Sequence, residues 1–151
     1  GVWEGLGRPE RLRPSPIQDL LVAAGDLGRK SGAGFYAYDD GGRRGDPRPL
    51  PADEASAREK AGTDEPVELS ADEILDRILL PIVDEAFRAR AAGVASTADI
   101  DVALRLGAAH PMGPFERATS SGGALAVATR LRELAADDPT LAPSEALLAE
   151  A

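Results

Sequence analysis

The chain has 151 residues, 43% of them hydrophobic, enough for one modest domain and too few for an enzyme built from two full-sized domains. Lys and Arg number 17 against 26 Asp and Glu, a net charge of −9 that argues against nucleic acid or an anionic membrane surface as partner. The absence of cysteine excludes a disulfide frame, a thiolate metal site and a cysteine nucleophile, and it points to a cytoplasmic setting.

No apolar run approaches the ~18 to 20 residues of a bilayer span. The opening Gly1-Val2-Trp3 has neither an initiating Met nor the order of a signal peptide, so a processed product or a piece of a longer protein is expected. In residues 8–25, Pro14 stops what precedes, Ser15 can cap a helix, Pro16 suits its first turn and Gln18 completes a capping box. Ile17, Leu20, Leu21 and Ala24 share one face, and Gly25 supplies the stop. The glycine-punctuated residues 28–34 lead into Phe35-Tyr36-Ala37-Tyr38, whose aromatic side chains suit a short extended arm. Hydrophobic patterning then disappears over residues 39–69, a composition too polar to offset its own ordering entropy, so this stretch reads as a flexible linker.

Ser70 and Glu73 form a second capping box, followed by Ile74, Leu75, Ile78, Leu79, Ile82, Val83, Ala86 and Phe87 at the spacing of a buried helical face. Pro81 inside that helix should kink it, and Gly93 ends it. A shorter helix runs from Ser96 or Thr97 to Leu106, closed by Gly107, with Ile100, Ala103 and Leu104 inward. After the turn His110-Pro111-Met112-Gly113-Pro114, residues Ala124, Val127, Ala128, Leu131 and Leu134 mark another amphipathic helix, and Ser144 starts a last one. The expected fold is all-α with one short glycine-aromatic extended arm.

An internal echo joins the two ends: Leu12-Arg13-Pro14-Ser15 before the first helix matches Leu141-Ala142-Pro143-Ser144 before the last. The segment Arg13-Pro14-Ser15-Pro16, Val22-Ala23-Ala24-Gly25 and Gly28-Arg29-Lys30-Ser31-Gly32-Ala33-Gly34-Phe35-Tyr36 resembles the closing part of the C-terminal domain of 3-hydroxyacyl-CoA dehydrogenases. Residues 77–93 with Leu80-Pro81 and Glu85-Ala86, then Asp99-Ile100-Asp101, then Leu106 through Glu116, resemble the opening parts of the same domain. In the family the order is reversed within one domain. The resemblance therefore implies two such domains in tandem: residues 1–38 close the first, 39–69 link, and 70–151 open and build most of the second. The arm of residues 28–38 is expected to pack on the later helices, within the chain or across a swapped dimer.

The resemblance implies NAD-dependent hydride transfer at the C3 position of an acyl-CoA, with NAD held by a Rossmann domain that lies outside these residues. Gly32-Ala33-Gly34 lacks the third glycine and precedes an aromatic arm, so no cofactor-binding residue is assigned here. His110 lacks a visible carboxylate to orient it and reads as a turn residue, with a polar contact near the acyl-CoA cleft as the alternative. Asp76 stands where the family carries an Asn. A carboxylate accepts hydrogen bonds and cannot donate one to a substrate carbonyl, so a catalytically silent copy is expected, and no catalytic residue is assigned. The alternative for Asp76 is a solvent-facing charge on the first helical turn.

Arg29 and Lys30 beside several glycines are the candidate substrate-binding residues, facing an anion such as a CoA phosphate, against the alternative of solvated surface. Asp39-Asp40, Asp53-Glu54, Asp84-Glu85 and Asp137-Asp138 read as solvated faces rather than metal or acid–base sites, and no metal site is assigned. The polar run 117–124 departs from the family's apolar continuation and weakens the case that this stretch packs as a cleft or dimer wall. The expected function is the acyl-CoA cleft and dimerisation region of a dehydrogenase of fatty-acid metabolism, inactive alone. Its expected partners are a second copy or a chain bearing the Rossmann domain. The alternatives are a non-catalytic helical dimerisation or interaction module and, third, an acyl-CoA binder using Arg29, Lys30 and the Met112 turn.

Overall fold

The structure, a computed structural model, describes residues 2–49 and 68–151 and divides into two compact units, Gly1–Glu68 and Leu69–Ala151. In the first unit, α1 (Val2–Gly5) precedes a single 3-10 turn (Glu10–Leu12) and α2 (Pro16–Ala23). Ser15 caps α2, but its side chain accepts from the Ile17 amide at 3.3 Å, so the expected box with Gln18 does not form. The helix ends as Gly25 suggested: Gly25 takes φ 77°, and the amides of Gly25 and Asp26 turn back to the carbonyls of Val22 and Leu21.

The arm is one half of a hairpin. Strand β1 (Tyr36–Tyr38) pairs antiparallel with β2 (Arg44–Pro47), with Tyr36 opposite Pro47 and Tyr38 opposite Arg44. This corrects the linker boundary at residue 39, because residues 39–47 turn and pair within the first unit. The turn is set by polar atoms: the Asp39 carboxylate accepts from the Arg43 amide at 2.8 Å, and its carbonyl accepts from Gly42, which sits at φ 72°. Every residue of β2 is exposed, so no hydrophobic alternation announces the strand. Arg48 then ties the hairpin to the end of α2 through a 2.9 Å bond to Asp26. The rest of the expected linker, residues 50–67, lies outside the described residues.

The second unit is all helical: α3 (Ala71–Ala91), α4 (Thr97–Gly107), α5 (Pro114–Ser120), α6 (Ala124–Leu134), a 3-10 turn (Pro139–Leu141) and α7 (Glu145–Leu148). Both halves of the Ser70–Glu73 box form, and the bonds from Ser70 hold the Glu73 carboxyl below its usual range. The helix runs through Pro81. Its buried stripe is Leu80, Val83, Ala86 and Phe87, packed with Ile100, Phe115, Ala118, Val127, Ala128, Leu131, Leu134 and Leu147. Ile74, Leu75 and Ile78, expected on the buried face, are exposed instead, while Asp76 and Arg77 of the same turns are the residues that meet α6 and the segment after it, through Arg130 and Asp137. Short α5, which sequence patterning did not separate from the turn before it, buries Phe115 and Ala118 despite the polar run that follows Glu116.

Two polar devices lock the unit. Asp84, expected on a solvated face, is buried, and one of its oxygens accepts from both the Ser144 amide (2.9 Å) and hydroxyl (2.6 Å), while the other takes Arg88 at 3.1 Å. Ser144 in turn accepts from the Leu147 amide and caps α7. Glycine at position 113 leaves α5 without a capping side chain, and Asp101 of α4 supplies one from outside, accepting from the amides of Phe115 (2.8 Å) and Glu116 (3.2 Å). A Cβ on Gly113 would lie 2.2 Å from Asp101 Cγ, so the residue is glycine because the carboxylate fills its side-chain space.

Two changes test these devices. Gly113→Ala is expected to expel Asp101 and lower unfolding free energy by about 2 to 3 kcal/mol in urea titration. Asp84→Ala leaves the buried Ser144 donors without a partner and should cost about 2 to 4 kcal/mol, with Ser144→Ala costing about half as much and the two effects non-additive.

Candidate functional site

Asp76 lies on α3, half-buried, and its carboxylate accepts from Arg130 Nε of α6 at 2.7 Å. Arg130 Nη1 reaches Glu133 at 2.8 Å, and these two acceptors, Asp76 first, raise the guanidinium's affinity for its proton. One residue on, Arg77 Nη2 stands 3.6 Å from Asp137 beyond the end of α6, while its Nε is buried with no hydrogen-bond partner among the described residues. Two arginine–carboxylate links of opposite polarity therefore staple α3 to α6 and the segment after it. The sequence contains no signal for this, since positions 76 and 130 meet only when the helices pack. An ionised carboxylate already engaged by a guanidinium is an acceptor with no proton to give, so Asp76 itself can fix helices and hold charge but cannot polarise a carbonyl by donation.

His110 follows Ala109, which takes the left-handed φ of 54°, and its amide donates to the Leu104 carbonyl at 3.3 Å, closing the end of α4. Met112, two residues on, accepts a long contact from the Ser120 hydroxyl at 3.9 Å. In the first unit, Arg29 and Lys30 lie exposed in the turn between Gly28 and Ala33. Within the turn the Gly28 amide donates to the Ala33 carbonyl and the Ser31 amide to that of Gly28, and the Leu27 amide just before it donates to the Ser31 hydroxyl. An anion here would meet two exposed cations. The structure thus keeps Arg29 and Lys30 together but brings neither into a cleft with other candidate residues. Gly34 is required for another reason, since a Cβ there would sit 2.9 Å from Gly28 Cα. The Gly32-Ala33-Gly34 run enters a strand rather than a helix, so it does not fit a dinucleotide's pyrophosphate.

Of the acidic pairs, Asp39 and Asp138 cap turns, Asp137 pairs with Arg77, and Asp84 is the buried latch; Asp53 and Glu54 lie outside the described residues. Among the described residues no group of three or more His, Cys, Asp or Glu converges on a possible metal position, and no helix is long and apolar enough to cross a membrane.

Residues 74–148, almost the whole of the second unit, match the family model of the 3-hydroxyacyl-CoA dehydrogenase C-terminal domain. The second unit belongs to that family. The chain is 37% identical over 125 residues to the human peroxisomal bifunctional enzyme, covering 77% of this chain and 17% of that protein. It is 34% identical over 106 residues to a peroxisomal fatty acid beta-oxidation multifunctional protein of Arabidopsis thaliana, covering 68% of this chain and 15% of that protein. A probable 3-hydroxyacyl-CoA dehydrogenase of Caenorhabditis elegans is 53% identical over 49 residues, covering 32% of this chain and 16% of that protein. The chain thus spans about a sixth of the length of these relatives. The all-helical second unit, with α3, α4 and the Gly107-to-Glu116 turn in the expected order, is the fold of the family's C-terminal domain. The relatives' names include peroxisomal and mitochondrial proteins.

In this domain the Asp76–Arg130 pair is about a third exposed, so screening limits its worth. Asp76→Ala is expected to lower stability by about 0.5 to 1 kcal/mol at low salt, with the difference shrinking in molar salt when followed by urea titration.

Proposed function

We propose that the chain is the acyl-CoA-cleft and dimerisation region of an NAD-dependent 3-hydroxyacyl-CoA dehydrogenase of fatty-acid metabolism, working with a Rossmann domain and a second subunit or copy. The observation that carries the reading is the state of Asp76. By resemblance this position contributes a hydrogen-bond donor in catalytic copies of the domain, and here it is a carboxylate committed to Arg130. The second unit accordingly serves as structure: its packed helices carry a face that closes on a neighbour, and reaction chemistry belongs to residues elsewhere. The Gly32-Ala33-Gly34 run leads into a strand and not a helix, so no hydride step is assigned to it.

The apolar face at the start of α3 supports an assembly role. Ile74, Leu75 and Ile78 are each about half exposed and lie along one side of a capped helix, where a second helix can cover them. The same face also favours the alternative, a helical interaction module without chemistry.

Sedimentation of the purified chain is expected to give a dimer that Ile78→Asp converts to monomer. NADH mixed with acetoacetyl-CoA should stay unoxidised in the presence of the chain. A monomeric wild type removes the dimerisation role, and NADH consumption removes the non-catalytic assignment. Acetoacetyl-CoA titrated calorimetrically into the chain separates the readings: heat that is indifferent to NADH supports a surviving cleft, whereas a dimer with no such heat supports the interaction module.

A further inference from the structure

The turn that joins β1 to β2 is held without its two central residues. The Asp39 carbonyl accepts from the Gly42 amide at 2.7 Å, which makes Asp40 and Gly41 the middle of a four-residue turn. Around it the Asp39 amide donates to the Arg43 carbonyl at 3.1 Å, and the Asp39 carboxylate takes the Arg43 amide at 2.8 Å and its guanidinium at 3.4 Å. Among the described residues neither the Asp40 carboxylate nor the Gly41 amide has a hydrogen-bond partner, and both residues are exposed.

A side-chain carboxyl and the amide of the next residue are the two reactants of a cyclic imide. Glycine lets them meet with least hindrance, because no Cβ stands beside the attacking nitrogen. Asp40-Gly41 is the one Asp-Gly pair among the 151 residues, and the sequence contains no Asn. Other acids are poorer reactants: Asp46 and Asp138 precede prolines, which have no N–H, and Asp76 and Asp84 are followed by amides inside α3. The hairpin also opens at low cost. It is a two-stranded sheet in which every residue of β2 is exposed, and such a ribbon is marginally stable, so Asp40 can leave its turn conformation for one in which its Cγ meets the Gly41 nitrogen.

We infer that Asp40 is a site of spontaneous covalent modification, converting to isoaspartate through a succinimide formed with Gly41. The Gly41 nitrogen bonds to Asp40 Cγ as the carboxyl C–OH bond breaks, and the hydroxyl leaves as water with the amide proton. Water then adds to an imide carbonyl. When it cleaves the bond from the nitrogen to the original backbone carbonyl, the chain continues through Cγ and the α-carboxylate becomes the side group. Nothing is oxidised or reduced. The product carries one extra backbone carbon between Asp39 and Gly42, so the turn bond and the Arg43 contacts no longer fit one geometry. The change therefore loosens the pairing of Tyr38 with Arg44 and of Tyr36 with Pro47. The inference rests on the hairpin and not on the dehydrogenase reading.

The test holds the intact chain at 37 °C and neutral pH for weeks and maps it by electron-transfer fragmentation, which distinguishes isoaspartate from aspartate. Isoaspartate is expected to accumulate at position 40 ahead of every other acid, and methyl transfer to the aged chain by an isoaspartyl methyltransferase should rise in step. Asp40→Glu keeps the charge but requires a larger, slower-closing ring, so it should lose the signal. Asp40→Asn, whose amide is the more labile group, should form isoaspartate several-fold faster. Hydrogen exchange over residues 36–48 should quicken on ageing in the wild type and stay constant in Asp40→Glu. Isoaspartate that is absent from position 40, spread evenly over the acids, or undiminished as methyl acceptor in Asp40→Glu overturns the inference, and exchange that ageing leaves unchanged overturns the loosening. Either failure leaves the sedimentation and calorimetric results of the functional reading untouched.

Discussion

The second unit depends on one buried carboxylate. Asp84 lies in the middle of the longest helix, on the face that packs the core, where an unpaired charge would be costly to desolvate. It is tolerated because Ser144 and Arg88 together satisfy both oxygens. The same bonds fix the last helix: once Ser144 is held on α3, its cap sets the direction of α7 and drives Leu147 fully into the core. A four-residue helix has almost no stability of its own, and a polar anchor on a 21-residue helix gives it a defined place.

The same logic recurs at α5. Its N-terminal residue before the helix is a glycine with no side chain to offer, and a neighbouring helix lends Asp101 as the cap. The tight approach that this requires excludes any larger residue at position 113. Above it, Phe87 and Phe115 meet with ring centroids 4.9 Å apart, and Arg90 lies over both rings while pairing with Glu150 near the chain's end. Polar groups thus close the unit at three points around a core made mostly of small and branched aliphatic residues.

These constraints bear on the reading as part of a dehydrogenase. A domain whose helices are locked together by internal capping and by the Asp76–Arg130 and Arg77–Asp137 links is a rigid body suited to presenting a surface. The face it leaves apolar, around Ile74 and Ile78, lies on α3, the helix held by the Asp84–Ser144, Asp76–Arg130 and Arg77–Asp137 links. Committing Asp76 to a charge pair with Arg130 fixes the register of α3 against α6.

Much of the helical layout follows from the sequence because its signals are local. Ser15, Ser70, Ser96 and Ser144 each start a helix by accepting an amide within three residues, and Gly25 and Gly93 end helices by taking positive φ. The family resemblance is equally legible, because it rests on runs of neighbouring residues around Gly28 to Tyr36 and Leu106 to Glu116. Tertiary structure alone decided the rest. Strand β2 buries no side chain and is stabilised by backbone pairing and the Asp39 turn, so its composition is that of a linker. Asp84 looks like any surface acid until Ser144, 60 residues away, arrives beside it. The exposure of Ile74 and Ile78 and the pairing of Asp76 with Arg130 likewise depend on which helix lies opposite. Periodicity specifies that a helix has an apolar side, whereas only packing determines which part of that side is covered.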